Sequence, residues 1–116
     1  MNIGIIFAGW TAVTPMAEQA PHMWVQPCWN VGTLSAEAIQ SAAKLSFDVG
    51  SGGKPDADTV QMLAWDGHSE AAARQVYETA RRAIIRCGQD VAVGQEGQTI
   101  VMTFDPRTMK VEQVNE

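Results

Sequence analysis

Residues 69–87 read SEAAARQVYETARRAIIRC, and the spacing of the apolar positions in this stretch decides how the chain folds. Ala73, Val76, Tyr77, Ala80, Ala83, Ile84 and Cys87 recur every three or four residues, whereas Arg74, Gln75, Glu78, Arg81, Arg82 and Arg86 fall on the other side. That is the period of an amphipathic helix with one face made to lie on an apolar surface. Ser69 is a good N-cap and Glu70 puts negative charge in the first turn. Arg82 and Arg86 put positive charge in the last turns, and Gly88 can take the left-handed position beyond the end. Alanines on the inward face let the helix approach a sheet closely. Arg74 with Glu78, and Glu78 with Arg82, stand four apart and are expected to pair.

Working outward, the residues before this helix change period. In residues 43–49, Ala43, Leu45, Phe47 and Val49 alternate with Lys44, Ser46 and Asp48, which is the repeat of a half-buried strand. A turn-rich run, GSGGKPD at 50–56, leads into residues 59–65, TVQMLAW, with Val60, Met62 and Ala64 on one face. The two read as a hairpin with a loop longer than two residues. The glycine run is no phosphate loop, because no Gly-Lys-Ser/Thr ending precedes a helix. Beyond the helix, residues 89–98 are a polar connection. Thr99, Ile100, Val101, Met102, Thr103 and Phe104 then form a third strand, ended by Asp105-Pro106-Arg107. Residues 109–114 read either as a short extra strand or as an ordered tail.

The first third of the chain is less regular. Pro21 and Pro27 limit residues 18–30 to one or two helical turns, in which Trp24, Val25, Cys28 and Trp29 share an apolar face suited to covering the core. Residues 35–42, SAEAIQSA, can form a second short helix capped by Ser35. Residues 2–16 are an apolar opening of about the length of a signal-peptide core, without a positive region beyond the amino terminus. They are too short to span a bilayer as a helix. Residues 1–17 are therefore an atypical or truncated signal sequence, an ordered N-terminal strand or a disordered lead-in to the domain at 18–116.

The strand, strand, helix, strand order gives an α+β fold. If the hairpin runs up and down and the helix returns up, the last strand runs antiparallel to the first and pairs beside it. The expected sheet has three antiparallel strands in the order second, first, third, with the long helix on one face. Residues 60–65 and 99–104 are its two edges.

A chain of 116 residues makes one small domain, and a 46% hydrophobic fraction is ordinary for a globular protein. Small domains bury a lower share of their surface, so a covalent cross-link would add visibly to stability. The net charge of −5 is spread along the chain, which argues against a nucleic-acid partner. Two cysteines fit a disulfide, two buried thiols or part of a metal site. His22, Cys28, His68 and Cys87 show none of the close pairing of zinc ligands, and no cofactor motif is present. Catalysis has little support: His22 could activate Cys28, and Asp66 and His68 stand two apart, but no oxyanion loop or orienting third group accompanies them.

Several pieces taken in order resemble the C-terminal periplasmic domain of TolA, a relative of the TonB C-terminal domain. They are Cys28-Trp29-Asn30, Gly53-Lys54-Pro55-Asp56, Ala80-Arg81-Arg82-Ala83-Ile84 with Cys87, and Phe104-Asp105-Pro106-Arg107 with Met109. The set looks like the alphaproteobacterial version and covers residues 26–110. The resemblance implies a small antiparallel sheet with flanking helices, a disulfide between Cys28 and Cys87, a periplasmic location, and a non-catalytic module that binds envelope proteins. Its partners would be TolB-like or Pal-like proteins, with colicin or phage coat domains as further ones, and the domain would be a monomer or weak dimer. Two departures bear on function. The sequence shows no stable membrane anchor or helical stalk before the domain, as expected of a soluble partner-binding copy, a decoy or a fragment of a longer protein, and residues 88–98 lack the family's Leu-Pro and Tyr/Trp segment. The alternatives are a TonB-like reader of outer-membrane receptor segments or a structural secreted domain. An exposed strand edge supplies a mechanism, because unpaired backbone groups accept an extended peptide. The edge expected to do so is the strand from Thr99 to Phe104, whose outward Thr99, Val101 and Thr103 are β-branched and which carries no lysine or internal proline.

Overall fold

The amphipathic stretch is the one long helix of the described chain, and a single antiparallel sheet receives its apolar face. The structure, a computed structural model, describes residues 24–114. The leader expected over residues 1–17 lies outside the described residues, as does His22. A 3-10 turn at Gln26–Cys28 is followed by a short helix, α1 (Ala36–Ile39), and then by strands β1 (Ala42–Asp48) and β2 (Gln61–Asp66). The long helix α2 (Glu70–Gly88) and strands β3 (Thr99–Asp105) and β4 (Lys110–Val114) complete the order. The sheet runs β2-β1-β3-β4 with every pairing antiparallel.

The helix forms for the reasons its sequence suggests. Ser69 Oγ accepts from the Ala72 backbone N–H at 3.1 Å, which satisfies one of the donors left open at a helix start. Ala73, Val76, Tyr77, Ala80, Ala83 and Ile84 are all buried, and they meet Leu45 and Phe47 of β1 and Ile100, Met102 and Phe104 of β3 in one core. Two local expectations are corrected. Arg74 reaches back to Glu70 at 3.3 Å, not forward to Glu78, because the Glu-before-Lys/Arg orientation suits the helix dipole better. Gly88 is still helical and needs its missing side chain for another reason: a Cβ there would sit 2.5 Å from Cγ of Pro55. The glycine lets the hairpin loop touch the end of the helix.

The sheet differs from the three-stranded expectation. The chain leaves β3 through a turn at residues 106–109, with Met109 in the left-handed region at φ 56°, and returns as β4. Val111 of β4 pairs with Phe104 and is buried, so this strand closes the core. Val101, Met102, Thr103 and Phe104 are therefore interior, held by β1 on one side and β4 on the other, while Thr99 and Ile100 pair with β1 and lie beyond the described end of the β4 ladder. An incoming peptide would have to displace the chain's own last strand to reach them. Residues 35–42 are also only partly helical: α1 spans one turn, Ser41 is buried with its hydroxyl donating to the Glu37 carbonyl at 3.0 Å, and Ala42 already belongs to β1.

The segment before α1 covers the end of the core, as its aromatic spacing predicts. Val25 and Trp29 are buried. The Trp29 ring meets Phe104 edge-on with centroids 5.2 Å apart, and its indole N–H donates to Thr79 Oγ1 at 3.1 Å. Thr79 in turn donates to the Val76 carbonyl at 2.8 Å, so both polar groups are satisfied inside the helix–lid contact. Cys28 and Cys87 meet here at disulfide distance, with Cα atoms 6.0 Å apart, and join the Gln26–Cys28 turn to the last turn of α2.

Candidate functional site

Among the described residues the outer strands of the sheet are β2 and β4, and their chemistry is unlike. Along β4, exposed Lys110 and Glu112 pair at 3.5 Å. Charges of this kind blunt an edge against further pairing. Strand β2, QMLAWD, carries neither lysine nor proline, and two of its large apolar side chains are open to water, Leu63 at 47% and Trp65 at 43%. Such exposure at a free ladder edge is what native sheets ordinarily avoid.

The turn before β2 fixes where this edge lies. Asp56 Oδ1 accepts from the Asp58 N–H at 3.2 Å, Thr59 donates to the Asp56 carbonyl at 2.7 Å, and Thr59 Oγ1 accepts from the Asp48 N–H at 2.8 Å. The buried Tyr77 hydroxyl of α2 donates to the Val60 carbonyl at 3.1 Å and ties the start of the strand to the helix. Within β2 the register slips: Lys44 pairs with Ala64 and Leu45 with Met62, leaving Leu63 as the extra residue of a bulge. A bulge re-aims the side chain it carries and increases local twist. Met62 packs on the core while Leu63 and Trp65 stay exposed.

Beside this edge is a shallow groove of about 250 Å³ whose lining includes Ala42, Lys44, Ala64 and Trp65 together with the charged residues Asp66, Asp105 and Arg107. Arg107 bridges the two carboxylates. Its Nε donates to Asp105 Oδ1 at 2.9 Å, and a terminal nitrogen donates to Asp105 Oδ2 and Asp66 Oδ2, each at 3.2 Å. It thereby ties the end of β3 to the end of β2. The hydrogen bonds from Arg107 hold the Asp105 carboxyl below the ordinary carboxylate range, partly opposed by burial, and the same bonds raise the guanidinium.

A group whose folded pKa is depressed adds stability above its unfolded pKa and loses it as pH falls through the folded value. Arg107→Gln should therefore lower stability at neutral pH by about 1 kcal/mol or less, since the pair is part-exposed, and the difference from wild type should shrink at acid pH as Asp105 takes up its proton. Urea denaturation of both proteins at neutral and acid pH checks this. A difference that persists undiminished in acid would mean that the carboxylate is not the source.

No protein-family model, curated protein or solved structure matches this chain. The likeness to TolA domains therefore rests on the residues quoted above. Among the described residues, no three His, Cys, Asp or Glu side chains gather into a metal-sized group, and no helix is long and apolar enough to cross a membrane. The residues weighed for catalysis go separate ways. Cys28 is joined to Cys87, Asp66 is held by Arg107, and His68 faces Glu37 at 3.7 Å on the surface. The sequence reading named the β2 strand as an edge but passed over Leu63, Trp65 and the Arg107 bridge. The signal was the register itself: pairing Ala43 with both Trp65 and Phe104 sets Asp66 and Asp105 on either side of the start of β1.

Proposed function

We propose that this chain is a non-catalytic binding domain that takes an extended segment of an envelope protein onto the free edge of β2. The observation that carries the reading is an edge strand, unguarded among the described residues, on which Leu63 and Trp65 are exposed and Trp65 lines a groove. In strand addition, main-chain hydrogen bonds supply affinity and neighbouring hollows receive alternate side chains, which supplies specificity. Alanines in its lining leave room for an apolar side chain of the added strand, and the Arg107 bridge gives the groove polar groups. The resemblance to TolA domains supplies the partner class, TolB-like or Pal-like proteins, and the cysteine pair fits an oxidising compartment such as the periplasm.

Leu63→Lys and Trp65→Lys place a guarding charge on the edge at positions already exposed, so the fold should hold. Affinity for a TolB-like or Pal-like partner should fall about thirtyfold for Trp65→Lys, the scale of losing a hot-spot aromatic. Titration by calorimetry reads this directly. Backbone amides of β2 should also exchange more slowly with solvent in the complex. If both variants stay folded and bind at wild-type affinity, the interface is elsewhere. If the wild type binds neither partner, the family reading fails.

A further inference from the structure

On the far side of α2 from the sheet, a second hollow has a different chemistry. The residues after Cys28 and one flank of α2 border a surface hollow of about 140 Å³, lined by Cys28, Asn30, Thr33, Thr79, Arg82 and Arg86, of which Asn30, Thr33, Arg82 and Arg86 are exposed. Arg82 and Arg86 are one turn apart, and neither guanidinium has a hydrogen bond or ion pair among the described residues. The Glu78–Arg82 pair that the spacing suggests does not form. Asn30 Oδ1 accepts from the Gly32 N–H at 2.9 Å, and among the described residues neither its amide N–H₂ nor the Thr33 hydroxyl has a partner. Thr79 is already engaged with Trp29 and Val76. The unspent polar groups of the hollow are thus two cations, an amide donor and a hydroxyl, with no carboxylate among the lining residues.

We propose that Asn30, Thr33, Arg82 and Arg86 form a binding site for a single phosphate-type oxyanion. Guanidinium groups match the oxygens of such an anion in geometry and charge, and two of them balance a dianion better than a monovalent carboxylate. The size limits the occupant to one group, since the hollow is well below the roughly 300 Å³ at which pockets for whole small molecules begin. An adjoining hollow of about 160 Å³ shares Thr33, Thr79 and Arg82 but is lined by Glu78 as well, whose carboxylate keeps the anion at the Arg86 end. The chain carries a net charge of −5, so this local pair, and not the overall field, has to attract the ligand.

The test is a titration of the full-length oxidised protein with inorganic phosphate, followed by nuclear magnetic resonance at the arginine Nε–H groups. Acetate and chloride series at matched ionic strength run alongside. Saturable shifts at Arg82, Arg86 and the Asn30 side-chain amide are expected with phosphate, and weaker binding with acetate. Arg82→Gln and Arg86→Gln should each weaken phosphate binding about tenfold, the scale of one charge-assisted hydrogen bond, while Arg81→Gln leaves it unchanged. Non-saturating shifts, equal losses in Arg81→Gln, or acetate binding as tightly as phosphate would each overturn the proposal.

Discussion

Replacing both cysteines, Cys28→Ser with Cys87→Ser, is expected to lower the unfolding free energy by about 4 kcal/mol, the chain-entropy value for closing a loop of this size. The two residues are 59 apart in sequence, so the link removes a large share of the unfolded chain's freedom. It also acts at a weak point of the fold. The turn at Gln26–Cys28 is too short to hold itself, and what it positions is valuable: Val25 and Trp29, both buried, with Trp29 bridging Phe104 of β3 and Thr79 of α2. Without the link this lid is held, among the described residues, by its apolar contact and by side-chain hydrogen bonds from Trp29 to Thr79 and from Gln26 to the Met109 carbonyl, and a small domain has little stability in reserve. Denaturant midpoints of oxidised wild type and the double variant measure the difference, and wild type treated with reductant should behave like the variant. Equal midpoints, or two titratable thiols in the natively folded protein, would reject the cross-link.

The helix and the β2-β1-β3 part of the sheet were legible because each rests on a periodic pattern tied to burial. In α2 every position assigned to the apolar face between Ala73 and Ile84 is buried, and in β1 Leu45 and Phe47 are buried while Lys44 is half-buried and Asp48 exposed, although Ser46, expected on the polar face, is buried too. Strand β4 was left open, and the reason is physical. KVEQV buries only Val111 fully, and its pairing with β3 depends on a reversal through Met109 at positive φ. Turns of that geometry are usually flagged by Gly or Asn. A methionine carries no such signal, so the hairpin exists through its tertiary fit to Phe104 and not through local preference. The same lack of local signal hid that β4 covers β3, so that of the two expected edges β2 is the one that stays at the end of the sheet. Polar partners were the other gap. That Asp66 would meet Arg107, or Trp29 would reach Thr79, depends on the register of distant elements, which periodicity alone does not supply.

Ala80→Arg is expected to abolish cooperative folding, whereas its neighbour Arg81→Ala should change stability by no more than about 0.5 kcal/mol. Ala80 is fully buried at the middle of α2, and Val76, Tyr77, Ala83 and Ile84, which surround it on the helix, are buried as well. Its small size is what allows the helix to lie close on the sheet, where Leu45, Phe47, Met102 and Phe104 are each 1% exposed or less. An arginine there has no space without lifting α2 off the strands. It also has no carboxylate among the buried residues to pair with, and a buried unpaired charge costs several kcal/mol on its own. Snorkelling does not relieve it, because the helix presents this face to the centre of the sheet and not to a rim. Arg81 is only partly buried and has no hydrogen bond or ion pair among the described residues, so its truncation removes little beyond some packing of its aliphatic stem. Near-ultraviolet circular dichroism separates the outcomes. Ala80→Arg should lose the aromatic signal of the ordered core around Trp29 and Phe104 and the sharp thermal transition, while Arg81→Ala keeps both. Equal melting temperatures for the two variants would mean that α2 does not bury this face.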